Sequence, residues 1–436
     1  MPPRPAIAVA AVAVAVVVAA GLVARAAQAP RPLGRAAPAA PVYKSTLPSD
    51  DAAISAIAPA GDAVARVSEA LARGAITLAR RDDALGVLPA VLAALDVPVD
   101  SQMLVFSKTS VQAARISPDH PRAVYFGDDV MVAHVPGAPS IEAIAIDPAR
   151  GPVFYTLTDR PGAPVAVTPH TSCLQCHHGP NTSGVPGIYV GSVIPGPTGA
   201  PLRDESAIIT DHTSPFQDRW GGWYVTAARG EQPDRANAVA SNPGDPSSLV
   251  REARQNLPSL FAFIDPRRYL APTSDIVALM VFEHQTHTTN LLTRVAWQAR
   301  LAAAGRAGRA RELDGDLDDL VDALLLAGEA PLVEPVEGVS TFAATFQARG
   351  PRDADGRSLR DLDLRTRLFR YPLSYLIQGR QFAALPAEVR AGVYRRLLAV
   401  LTAPAPPARF RHLTPSLARD IRTIVRGTLP DLPREW

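Results

Sequence analysis

Two thiols and an imidazole crowded into five consecutive residues, Cys173-Leu174-Gln175-Cys176-His177, constrain this 436-residue chain more than any other feature. Thiols three positions apart can each add across one vinyl group of a haem, and a histidine directly after the second thiol then lies under the iron. Such a segment predicts a fold that leaves room for a flat macrocycle beside it. Cys173 and Cys176 are the only cysteines, so the expectation is a single covalent haem c with His177 as proximal ligand and no structural disulfide.

Two other chemistries use a Cys-x-x-Cys pair. A dithiol redox site would follow a buried strand and open a helix. The run Val165 to Ser172 before the motif is apolar at its start but broken by Pro169, so that geometry stays open, although a redox pair has no need of the adjacent histidine. A zinc site would take both thiolates and two histidines, drawn from His177, His178 or a remote position. Zinc sites usually bring a second close pair of ligands, and the Cys pair has none to join.

Covalent haem attachment in bacteria takes place outside the cytoplasmic membrane, which makes the N-terminus a test of the motif. Arg4 supplies a positive first region, Ala6 to Val23 are uninterruptedly apolar, and Ala27-Gln28-Ala29 fits a cleavage site. Residues 1–29 are therefore expected to be a signal peptide, with an uncleaved anchor as the alternative because the apolar stretch is long. The expected location is the periplasm, with a membrane tether only in the second case.

The formal net charge is +2, and removal of Arg4 and Arg25 with the leader takes away both positive charges. No acidic or basic block marks a nucleic-acid or lipid surface, and no integral membrane domain is expected beyond the N-terminal segment. Residues 30–60, rich in Pro and Ala, read as a linker. The pattern then predicts an α+β chain. Helices are expected over Asp62 to Leu78 and Ala84 to Leu95. Short strands follow at Met103 to Phe106, Ala123 to Phe126, Val130 to Ala133, Ile141 to Ile146 and Val153 to Thr156, an antiparallel meander leading into the haem segment. Gly187 to Val193 and Glu205 to Thr210 read as a hairpin, closing a mixed region over 61–242. From 243 to 436 the spacing is mainly helical: Ser274 to Arg300, Leu317 to Leu326, Val339 to Gln347, Pro386 to Leu401 and Ser416 to Arg426. No internal repeat is present. Asp314 to Asp319 lacks the glycine and glutamate of a calcium loop and reads as an acidic helix start.

This organisation is not that of a minimal all-helical cytochrome c. With Ser101 to Ser110, Asp218 to Val225 and Glu283 to His287 alongside the attachment motif, the chain resembles the large monohaem cytochrome-c-domain proteins exported by Gram-negative bacteria. The resemblance spans most of the mature chain and implies haem c and an exported location, but no specific activity. A His/Met-containing stretch that relatives carry after the Trp-rich block has no counterpart in Gly230 to Asn242.

What fills the sixth iron position decides the chemistry. Met280, His284, His287 and Leu291 fall on one stripe of the expected helix, so His287, His284 and Met280 are candidate distal ligands, with His212 beside the Trp block as a fourth. The other reading of that stripe is a packed core face. Arg219, Trp220 and Trp223 are candidates for propionate pairing and haem packing, or equally an aromatic core element. With a filled sixth position the expected function is one-electron transfer to a redox partner protein. With an open one it is a haem oxidoreductase of peroxidase type or a gas-binding sensor, and a structural haem is a third option.

Overall fold

The computed structural model describes residues 45–203, 205, 207–249 and 256–436. The expected leader and most of the expected linker lie outside them. Short runs rich in β-branched and aromatic residues, joined by tight turns, pair antiparallel with their sequence neighbours. β1 (Met103–Val105), β2 (Arg122–Phe126), β3 (Val130–His134), β4 (Ser140–Asp147), β5 (Gly151–Thr158) and β6 (Val167–Pro169) build this meander. β7 (Val190–Ser192) and β8 (Ile208–Thr210) form a separate hairpin, and β9 (Trp223–Tyr224) returns to pair with β1, giving the order β6-β5-β4-β3-β2-β1-β9.

Both faces of the large sheet are covered, which is why its strands read as nearly continuous apolar runs. Leu104, Tyr125, Val132, Ala143 and Leu157 pack against Val64, Val67, Leu88 and Val91 of the N-terminal helices. These helices are α2 (Ala63–Ala72) and α3 (Leu88–Ala94), preceded by the single turn α1 (Ala52–Ser55). Val105, Val124, Phe126 and Met131 face the opposite way, into the core shared with the helical half. The short α4 (Leu174–His177) follows β6, and the helical half comprises α5 (Ile276–Ala303), α6 (Arg309–Leu324), α7 (Phe342–Ala348), α8 (Arg380–Ala383), α9 (Ala387–Thr402) and α10 (Pro415–Thr428). The chain is α+β, with a β-rich N-terminal half and a helical C-terminal half. All described residues belong to one compact unit. Among them no helix is long and apolar enough to cross a membrane.

Three local expectations are corrected. α2 stops at Ala72 instead of Leu78 because Gly74 adopts a φ of +66°, and the Ala75 N–H then donates back to Ala70 O at 2.9 Å, a left-handed helix stop. The acidic run Asp314 to Asp319 lies inside α6, not at its start. Its charges answer arginines on neighbouring helices: Asp316 accepts from Arg294 Nε at 2.9 Å, while Asp314 and Asp318 pair with Arg396. Finally, residues 45–60 do not stand off as a tether. Leu47 and Ile54 are buried against Val185, Trp297 and Leu301, so apolar side chains scattered through a polar segment found partners that no local pattern announces.

α5 organises the helical half. Most of its 28 residues are buried, polar ones included. Asp275 caps it by accepting from the Val277 N–H at 2.8 Å, and Ser274 just before it bridges the strands, donating to Tyr224 O and accepting from the Leu104 N–H.

His134, at the end of β3, is buried with neither ring nitrogen hydrogen-bonded among the described residues. Burial, with a smaller effect from His120, holds its pKa down at about 4. In the unfolded chain it protonates near 6.5, so its contribution to stability is complete above that pH and is lost as pH falls from 6.5 towards 4. Between pH 7 and pH 5 the loss is ~2 kcal/mol. Urea unfolding of His134→Leu at both pH values is expected to show a correspondingly smaller drop than the unsubstituted protein.

Candidate functional site

The segment from Cys173 to His177 is launched from the sheet edge. β6 pairs with β5, the His170 N–H donates to Phe154 O at 2.9 Å, and His170 Nδ1 lies 2.8 Å from Thr156 Oγ1. Pro169 ends the strand, and a 3-10 turn over Thr171–Cys173 runs directly into α4. Both thiols are therefore on one helical turn with His177. Neither is in a disulfide; Cys173 is half-buried and Cys176 exposed. Burial, with a lesser effect of Glu142, pushes the Cys173 thiol above its ordinary pKa and so keeps it protonated.

His177 is held by aromatic rings and by a backbone carbonyl. Its ring lies between Phe154 and Tyr189, with centroids 5.0 and 5.1 Å away. Its Nδ1 is 2.9 Å from Gly187 O, and the Gly187 N–H donates back to His177 O at 2.8 Å. A carbonyl can only accept, so Nδ1 carries the proton and the Nε2 lone pair is left for another partner. Burial is the chief reason that His177 sits below the ordinary histidine pKa, which favours the neutral, metal-binding form.

The Gly187 carbonyl is itself positioned from α5. Asn290 grips the next residue through both backbone groups: the Ile188 N–H donates to Oδ1 at 2.9 Å and Nδ2 donates to Ile188 O at 2.6 Å. One turn on, Arg294 Nη1 donates to Ser183 O at 2.9 Å, and beyond it the Trp297 ring meets His178 edge-on at 5.9 Å. Asn290, Arg294 and Trp297 share a helix face, and together they clamp the loop from His178 to Ile188 against the core. A Cβ on Gly187 would come 2.5 Å from Asn290 Oδ1, so this contact requires glycine.

Three of the four distal candidates, the histidines, gather in one cluster. His284 is fully buried, its Nδ1 3.4 Å from His212 Nδ1 and its Nε2 2.7 Å from Ser374 Oγ. The His212 ring lies 5.0 Å from that of His284 and 5.7 Å from that of His287, whose Nδ1 is 3.5 Å from Asp211 Oδ2. Burial holds His212 down at about 3 and His284 well below its ordinary value, so both are neutral. Met280 is buried in the main core. The rings against His177 are those of Phe154 and Tyr189, not one of these three histidines. Of the four, His287 lies nearest the Asn290 face of α5.

Arg219, Trp220 and Trp223 occupy the interior. Arg219 donates to Glu283 Oε2 at 3.0 Å, to Ser214 O and to His212 O, so each of its three nitrogens is committed within the protein. Trp220 is fully buried, and Trp223 Nε1 donates to Gly191 O at 2.8 Å, tying β9 to β7. All three side chains are buried. Gly187, Asn290, Arg294 and Trp297 escaped the sequence reading. Their signal, a polar-aromatic stripe at i, i+4 and i+7, lay beside the histidine stripe that drew attention.

The residues present fit a covalently bound haem: two free thiols on one turn, an imidazole with a fixed tautomer and an unused Nε2, and aromatic rings on its flanks. Among the described residues no group of three or more His, Cys, Asp or Glu side chains is arranged to hold a metal ion. Comparison with protein-family models, with curated proteins and with solved structures returns no match for this chain.

Asn290→Ala removes both partners of Ile188 in a buried setting. The expected cost is about 2–3 kcal/mol of unfolding free energy, with faster amide exchange at Ile188, read by urea titration and hydrogen exchange. Glu283 is held up near 7 by burial, against the pull of Arg219. At pH 8 the pair is charged, and Glu283→Ala, which leaves Arg219 buried without its counterion, is expected to cost about 3–5 kcal/mol in the same titration.

Proposed function

We propose that this chain carries one haem c, joined through Cys173 and Cys176 with His177 as proximal ligand, and passes single electrons to a partner protein in the cell envelope. The observation that carries the reading is the hydrogen bond from His177 Nδ1 to Gly187 O beside two free thiols. An imidazole anchored through Nδ1 presents Nε2 in a fixed direction, the second-shell arrangement that ligating histidines need. Bound there, haem c supplies a one-electron couple. The chain's own part is to orient the imidazole through Gly187 and Asn290, and to limit water at its ring with Phe154 and Tyr189. Kinship with the large exported monohaem proteins, a periplasmic location and a redox partner belong to the same proposal. It is supported by the motif and by the apolar, Ala-rich start of the sequence, which ends in a small-residue cleavage pattern.

In this first reading His287 is the leading sixth ligand, being partly exposed and nearest the Asn290 face of α5. A second reading, an iron open to a small oxidant or a diatomic gas, is favoured by the interior placement of Met280, His212 and His284, whose release would break packed contacts.

Intact mass and absorption spectra of protein matured with haem, ferric and ferrous, test both. The expected result is one added porphyrin and a low-spin spectrum with little carbon monoxide binding, altered by His287→Ala. Rapid carbon monoxide binding to the unsubstituted protein would favour the open site. A mature polypeptide with no added porphyrin, or with zinc in metal analysis, would overturn the haem reading altogether.

A further inference from the structure

A second polar group faces the attachment site from the sheet. Arg122 opens β2, and Nη1 donates to Glu142 Oε2 on β4 at 2.9 Å. Glu142 Oε1 accepts from Gln112 Nε2 at 3.0 Å. Register places them: Val124 pairs with Ala133, Ala133 with Glu142, and Glu142 with Thr156. Arg122, two residues before Val124, shares that face, as does Phe154, two before Thr156, whose ring packs on His177. Burial holds His177 below its ordinary pKa and pushes Tyr189 above its own; the charge of Arg122 reaches both groups, and Glu142 opposes it at His177.

The ion pair is half-buried, each side chain 20% exposed, and it is incomplete. Arg122 Nε is buried with no hydrogen-bond partner among the described residues. A buried donor without an acceptor costs about 1–3 kcal/mol, so its retention beside His177 calls for an acceptor that arrives later. A haem brings two carboxylates into this half-buried region, and a carboxylate is stable there only with a cation or N–H donors. The Nε and Nη edge of a guanidinium matches a carboxylate in a two-pronged contact. Arg219, the other arginine considered for this role, is already committed to Glu283.

We propose that Arg122 binds a propionate of the haem, with Glu142 and Gln112 fixing the guanidinium in place. The inference rests on the reading that Cys173, Cys176 and His177 hold haem c. Reduction adds negative charge to the iron centre, so a nearby cation favours the reduced form and a nearby anion the oxidised one. Arg122 and Glu142 therefore act on the reduction potential with opposite signs.

The experiment uses haem-loaded full-length protein and reads two quantities: the midpoint potential, and the propionate bending bands of the resonance Raman spectrum. Arg122→Gln is expected to lower the reduced-to-oxidised ratio at fixed poise about tenfold, roughly 59 mV for one electron, and to shift a propionate band. Glu142→Gln is expected to move the potential the other way. Arg122→Lys, which keeps the charge and loses the fork, is expected to restore most of the potential but not the band. Should Arg122→Gln fail to mature, Arg122→Lys carries the band test alone. A haem-loaded Arg122 variant with an unshifted propionate band overturns the inference. Failure of the unsubstituted protein to take up haem overturns the underlying reading instead.

Discussion

A helix buried along most of its length must find a partner for each polar side chain it carries, and α5 meets that demand by holding the rest of the protein in place. Gln285 donates to Gly127 O and Asp128 O and accepts from the Tyr375 hydroxyl, so one side chain ties the β2–β3 turn to the C-terminal half. Glu283 takes Arg219, and Arg294 takes Asp316 on α6 together with Ser183 O of the loop after α4. Asn290 takes Ile188. Loss of any one leaves a buried charge or amide unanswered, so the sheet, the hairpin and the C-terminal helices are positioned by the same set of requirements.

The segment from Cys173 to His177 lies where these requirements meet the sheet edge. β5 provides both the strand that launches the segment and the ring of Phe154 that flanks His177, while α5 fixes the loop whose carbonyl sets the tautomer. His177 thus takes its orientation from two layers that are far apart in sequence. Arg122 and Glu142 add a charged pair from the middle of the sheet. The cluster of His212, His284 and His287 lies with Asp211, Glu283 and Arg219, where the two buried imidazoles of His212 and His284 are neutral and pack beside Ser374.

Much of the fold was legible from pattern. Ile141 to Ile146 and Val153 to Thr156 alternate or run apolar between turn residues, and both became central strands because local turns made their partners the neighbouring runs. The long helix from Ser274 to Arg300 was legible because its length and apolar spacing suit nothing else, and it begins at Ile276 with Asp275 as cap. The packing of Leu47 and Ile54 was not legible, since a Pro- and Ala-rich segment shows no period and its partner Trp297 lies some 250 positions away. The acid-rich stretch in α6 misled for a related reason: charges in a helix interior look like a terminus until the arginines opposite them are known.

The sequence by itself determined which side chains could bind a haem, because two thiols and a histidine within five residues stay close together however the rest folds. It also determined the α+β class, since periodicity is a local property of the backbone. Only the tertiary structure decided which nitrogen of His177 is left available, that Arg219 lies within the core, and that Arg122 faces the site with an unanswered Nε–H. These depend on which distant groups meet in the interior, and a buried polar group is assigned its role by the partner that packing brings to it.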